Sequence, residues 1–123
     1  MVQLEVDKDP ADVATLRAYV HSIGALFGLS KLAVEGLVFV ASELVSNAIQ
    51  HARTGSVITL RRSGNLLRVS VADYSTKPPL TRSAKARRLS GLGLVEALSW
   101  RWGWTEHGNT GKTVWATLDV RRR

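Results

Sequence analysis

Between Ala52 and Ser56 the apolar residues of this chain change their repeat, and that change limits the possible folds more than any other feature. Before it, Val34, Leu37, Ala41, Leu44, Ala48 and Ala52 recur at helical spacing, giving a long helix with one apolar stripe down to a stop near Gly55. After it, Ser56 to Arg62 and Leu66 to Asp73 read as two strands joined by Gly64-Asn65, a two-residue loop suited to a primed hairpin turn. A one-sided helix beside a one-sided hairpin buries its apolar surface best when the two cover each other.

The same reading extends in both directions. Val2, Leu4 and Val6 alternate with polar residues and predict a short first strand. Asp9-Pro10 opens a helix, with Asp9 as N-cap and Pro10 at its first position. Val13, Leu16, Val20, Ile23 and Phe27 carry its stripe to Gly28, and Ser30 caps the second helix. Tyr74 to Ser90 is polar, basic and broken by Pro78-Pro79, the pattern of a loop. Leu94 to Trp100 predicts a short helix. Trp102 to Glu106 and Lys112 to Val120 predict a last hairpin across Gly108-Asn109-Thr110-Gly111. This order favours an α+β fold: a two-layer sandwich of a mostly antiparallel sheet with helices on one face. At 123 residues the chain suits one domain, 1–123.

Composition removes some chemistries. With no cysteine there are neither disulfides nor thiolate metal sites, which fits a cytoplasmic location. No apolar run is read as reaching the roughly 20 residues of a bilayer span, so no membrane partner is expected. His21, His51 and His107 lie far apart, without zinc-ligand spacing. The net charge of +7 comes partly from Lys77, Arg82, Lys85, Arg87 and Arg88 and from the terminal Arg121, Arg122 and Arg123. Such patches suit a nucleotide, a nucleic acid or plain solvated surface, and charge alone does not choose.

Three clusters could carry chemistry. On the second helix Glu43, Asn47 and Gln50 share a face, with His51 at its margin. A carboxylate and a carboxamide one turn apart offer a base and an oxygen ligand for Mg²⁺; a merely wet helix face is the plain alternative. Asp73 ends the row Leu67, Val69, Val71, which faces the helices, so its carboxylate needs a partner there. That partner could be an adenine amino group, a buried arginine or a backbone cap. Ser90-Gly91-Leu92-Gly93-Leu94 precedes the short helix, where two glycines and free N–H groups could approach an anion, or simply make a turn. Gly111-Lys112-Thr113 looks like the end of a phosphate loop but precedes a strand rather than a helix. Most of Trp100, Trp102, Trp104 and Trp115 are read as packing residues.

In this order the clusters resemble the GHKL superfamily of ATPases and kinases, with the Bergerat ATP-binding fold. ELVSNAIQHA, Glu43 to Ala52, looks like its N-box; VADYS, Val71 to Ser75, like its G1 box; SGLGLVEAL, Ser90 to Leu98, like its G2 box. DKDPADVATLRAYV, SWRWG and GKTVWATL are similar to the small stand-alone anti-sigma-factor serine kinases of actinobacteria.

The resemblance implies ATP and Mg²⁺ as cofactors. Asn47 would hold the metal and phosphates, and Asp73 the adenine amino group. Ser75, His51, Arg87, Arg88, Gly91, Leu92, Gly93 and Leu94 would complete the ATP site, beneath a lid from about Ser75 to Leu89. Glu43 would be the general base. The implied activity is serine/threonine kinase and anti-sigma regulator. An anti-sigma-factor antagonist would be its substrate, a sigma factor a further partner, and a homodimer stays open. A partner-sequestering module that does not catalyse is the alternative, and a nucleic-acid-binding protein the third reading. Three positions depart from the family pattern: Ser75 replaces a glycine, Leu89 replaces the first G2 glycine, and Gln50 stands where Lys or Arg is common. Strand parity puts Lys112 in the row of Val114, Ala116 and Leu118, which leaves Thr113, a possible adenine contact, out of the core site.

Overall fold

The computed structural model describes residues 1–76, 95–96 and 98–120, with His51 and Ala52 described by their backbone alone. Five strands form one sheet: β1 (Val2–Val6), β2 (Ser56–Ser63), β3 (Leu66–Asp73), β4 (Arg101–Glu106) and β5 (Lys112–Asp119). Their order is β1-β2-β3-β5-β4, and every neighbouring pair is antiparallel. Two helices, α1 (Asp12–Leu26) and α2 (Lys31–Asn47), share the core with one face of this sheet.

Alternation decides which side chains meet the helices. Ile58 and Leu60 of β2, Leu67, Val69 and Val71 of β3, and Val114, Ala116 and Leu118 of β5 are all buried. They form one cluster with Leu37, Val40, Ala41, Leu44 and Val45 of α2 and with Leu16 and Val20 of α1. Each large aliphatic side chain buried in this way contributes about 1.5–3 kcal/mol. Lys31–Gln50 is long and apolar enough to span a membrane by length and composition, contrary to the sequence reading, yet 67% of its apolar 18-residue stretch is buried inside the molecule. Its hydropathy is that of a core helix.

Local chemistry sets the boundaries. Ser30 caps α2 as expected, its Oγ accepting the Ala33 N–H at 3.2 Å. At α1 the expectation fails by a short margin. Asp9 Oδ1 accepts the Ala11 N–H at 2.9 Å and Asp9 O accepts the Asp12 N–H, so Asp9-Pro10 closes a turn of its own and the helix starts at Asp12. The second helix also changes character. After Asn47 it continues as a π turn over Ala48–Ala52 and stops at Arg53, which is left-handed with φ 58°.

Candidate functional site

Reading across the strands gives rungs of facing residues. Leu4, Ile58, Val71, Val114 and Trp104 form one; Val2, Leu60, Val69, Ala116 and Trp102 form the next. These central rungs are apolar where they face the helices. At one end the chemistry changes: Val6, Ser56, Asp73, Lys112 and Glu106 lie in register, and Ser56, Asp73 and Lys112 are all buried. Three polar side chains thus lie side by side at the edge of an apolar floor.

Asp73 is held from two directions. Lys112 Nζ is 2.9 Å from Oδ2 and 3.1 Å from Oδ1, and the Ser75 N–H donates to Oδ1 at 2.9 Å. The sequence offered a ligand, a buried arginine or a backbone cap as its partner. The structure supplies a lysine together with a backbone cap. Strand parity had placed Lys112 in the buried row, but its sequence neighbours gave it no role. The available signal was the matched parity of an acid and a base at the same end of two strands. Ser56 Oγ, across the strand from Asp73, is buried and has no hydrogen-bond partner among the described residues.

Gly111 lets the last hairpin come this close. Its φ is +136°, and a Cβ there would lie 2.0 Å from the Asp73 carbonyl oxygen. Gly111-Lys112-Thr113 is therefore a close-approach element that seats Lys112 against Asp73. Thr113 points the other way, its Oγ1 2.7 Å from His107 Nε2, as its parity requires.

The helix reaches the same end of the sheet. Glu43 and Asn47 are half-buried one turn apart near the end of α2, whereas Gln50 is exposed. Gln50 lies in the π turn that follows Asn47, whose i→i+5 bonding departs from the 3.6-residue repeat. Thr54 Oγ1 accepts the Tyr74 N–H at 3.3 Å, which ties the residues after the π turn to those after Asp73. Among the described residues no group of three or more His, Asp or Glu side chains could hold a metal ion. A divalent cation here would need few protein ligands and a ligand's phosphates, the coordination Mg²⁺ favours, and a carboxamide such as Asn47 suits that role.

Arg87, Arg88, Gly91, Leu92, Gly93 and Leu94 lie outside the described residues, as does most of the expected lid. Just beyond them, Val95, Glu96 and Leu98 are helical and Val95 is fully buried in the core. On the opposite face of the sheet a cavity of about 450 Å³ is lined by Arg61, Arg68, Arg101, Trp100 and Trp115, among others. Arg68 lies over the Trp115 ring at 4.1 Å and Arg101 over Trp100 at 4.9 Å. Trp100 and Trp104 are 59% and 40% exposed, so packing accounts for fewer of the tryptophans than the sequence suggested.

The model of the histidine kinase-like ATPase domain matches residues 6–118. A search of the curated proteins found no match. Among solved structures, the chain is similar to the crystal structure of the RsbU and RsbW domains of Rv1364c from Mycobacterium tuberculosis. The identity is 24% and the TM-score 0.74, over 98% of this chain and 33% of that one. The chain thus spans about a third of that structure's length, and the likeness is one of fold. A helix-covered antiparallel sheet, a buried carboxylate at the end of its central strand and a family match over residues 6–118 place this chain in the histidine kinase-like ATPase domain family, which implies ATP binding.

Proposed function

We propose that this chain binds ATP with Mg²⁺ between the end of α2 and the polar end of the sheet, and transfers the γ-phosphoryl group to a serine or threonine of a partner protein. One observation carries the reading: the apolar floor turns polar at Ser56, Asp73 and Lys112, at the end of the sheet where the helix bearing Glu43 and Asn47 runs through its π turn into β2. A buried carboxylate with remaining acceptor capacity suits an amino-bearing ring, because a carboxylate oxygen pair accepts about four hydrogen bonds.

When bound, ATP supplies the transferable phosphoryl group and Mg²⁺ neutralises its developing charge. Asp73 accepts from the adenine amino group, and Asn47 offers its carboxamide oxygen to the metal. Glu43 takes the proton of the attacking hydroxyl. Arg87, Arg88 and the N–H groups of the Gly91-to-Leu94 segment hold the phosphates; Ser75 supports Asp73 through its backbone. In this reading the substrate is an anti-sigma-factor antagonist and a sigma factor is a second partner, in the cytoplasm. That part rests on the sequence resemblance to anti-sigma serine kinases, and the RsbW domain named in the similar structure is in keeping with it.

Calorimetric titration with MgATP tests the site, with Asn47→Ala and Asp73→Asn as controls. Wild-type binding lost in both variants supports the assignment; no binding, or equal binding by all three proteins, sinks it. Labelled phosphate transfer to a candidate antagonist, abolished by Glu43→Ala, separates a kinase from a sequestering module. Salt-dependent nucleic-acid binding indifferent to ATP would favour the arginine-lined face instead.

A further inference from the structure

We propose that Lys112 is a second base-reading residue, so that the purine is recognised by an acid–base pair rather than by Asp73 alone; this rests on the ATP-binding reading above. Both members are buried, and the ammonium lies within 3.1 Å of both carboxylate oxygens. An ammonium has three N–H donors; one is hydrogen-bonded to Asp73 Oδ1 and Oδ2 lies 2.9 Å away in the ion pair, which leaves at least one donor. The carboxylate accepts from Lys112 Nζ and the Ser75 N–H, which leaves at least one acceptor site. The pair therefore offers at least one donor and one acceptor side by side.

Adenine presents the complement along one edge: an amino donor next to the ring nitrogen N1, an acceptor. Asp73 takes the amino hydrogen and Lys112 donates to N1. A 6-oxo purine presents an acceptor followed by an N–H, the reverse order. Ser56 gives independent support. Its hydroxyl is buried beside Asp73 without a partner among the described residues, although a hydroxyl can rotate to suit any acceptor within reach. A self-contained structural pair leaves that group unexplained, whereas a bound base brings further polar atoms to it. Gly111 holds the arrangement, since a Cβ there would collide with the backbone of Asp73 and Tyr74.

The test compares MgATP with Mg-1-deaza-ATP, which lacks the N1 acceptor, by calorimetric titration of the full chain. Wild type should bind the deaza analogue about 10- to 100-fold more weakly, the range for a hydrogen bond to a charged group. In Lys112→Met that ratio should collapse towards one. Equal wild-type affinity for the two nucleotides overturns the proposal while leaving ATP binding intact. A Lys112→Met variant that weakens both equally and keeps the ratio also overturns it, since Lys112 would then act only through Asp73. Failure of wild type to bind ATP removes both readings. Circular dichroism checks the fold of the variant, and if it does not fold, equal wild-type affinity for the two nucleotides still overturns the proposal.

Discussion

Lys112 Nζ lies 2.9 Å from Asp73 Oδ2, in a cross-strand pair whose side chains are each 2% exposed. Coulomb attraction there is opposed by the cost of taking both ions out of water, so the pair adds little net stability. Removing one member is different, because it strands the other charge in the core.

Lys112→Met should therefore destabilise the fold by about 3–5 kcal/mol, read from urea unfolding. The double variant Asp73→Asn/Lys112→Met should recover much of that loss, because no unpaired charge remains. A double variant as unstable as Lys112→Met alone would show that the damage lies in packing rather than in the stranded carboxylate.

Gly111→Ala places a methyl group against the Asp73 carbonyl at a φ of +136° that alanine resists. The expected cost is at least about 2 kcal/mol, in the range of strained backbone substitutions. ATP affinity should fall with it, since the shift moves Lys112. Thermal unfolding and nucleotide titration of one preparation check both. Unchanged melting would mean that the hairpin relaxes without strain.

Ser30→Ala removes the N-cap of α2 far from the polar rung. Stability should drop by about 1 kcal/mol, with nucleotide affinity unchanged. A large loss of affinity would instead show that the helix start is coupled to the end that bears Glu43 and Asn47.

Glu43→Gln keeps the shape of the side chain but removes its basicity. Nucleotide affinity should stay close to wild type while phosphoryl transfer falls by roughly 10²–10⁴, the usual share of a general base. Transfer at the wild-type rate would assign proton removal to another group.

Much of this molecule was legible in the chain because alternation and helical spacing are local properties. The hairpin at Gly64-Asn65, the Ser30 cap and the inward parity of Asp73 all follow from neighbours a few residues away. The late start of α1 was missed because Asp9 can satisfy either a cap or a turn, and only the competing hydrogen bonds decide. The π turn after Asn47 is not legible in this way, since no residue type encodes it and it departs from the 3.6-residue repeat.

The sequence by itself determined that Asp73 faces the core and that a carboxylate and a carboxamide ride one helix face. Which group answers Asp73 was decided only by tertiary structure. Lys112 lies 39 residues away, and only the register of β3 against β5, with Gly111 allowing close approach, brings the two charges together. Side-chain direction is written in the period of a strand, but the partner across the sheet is set by how non-adjacent strands align to bury their shared apolar face.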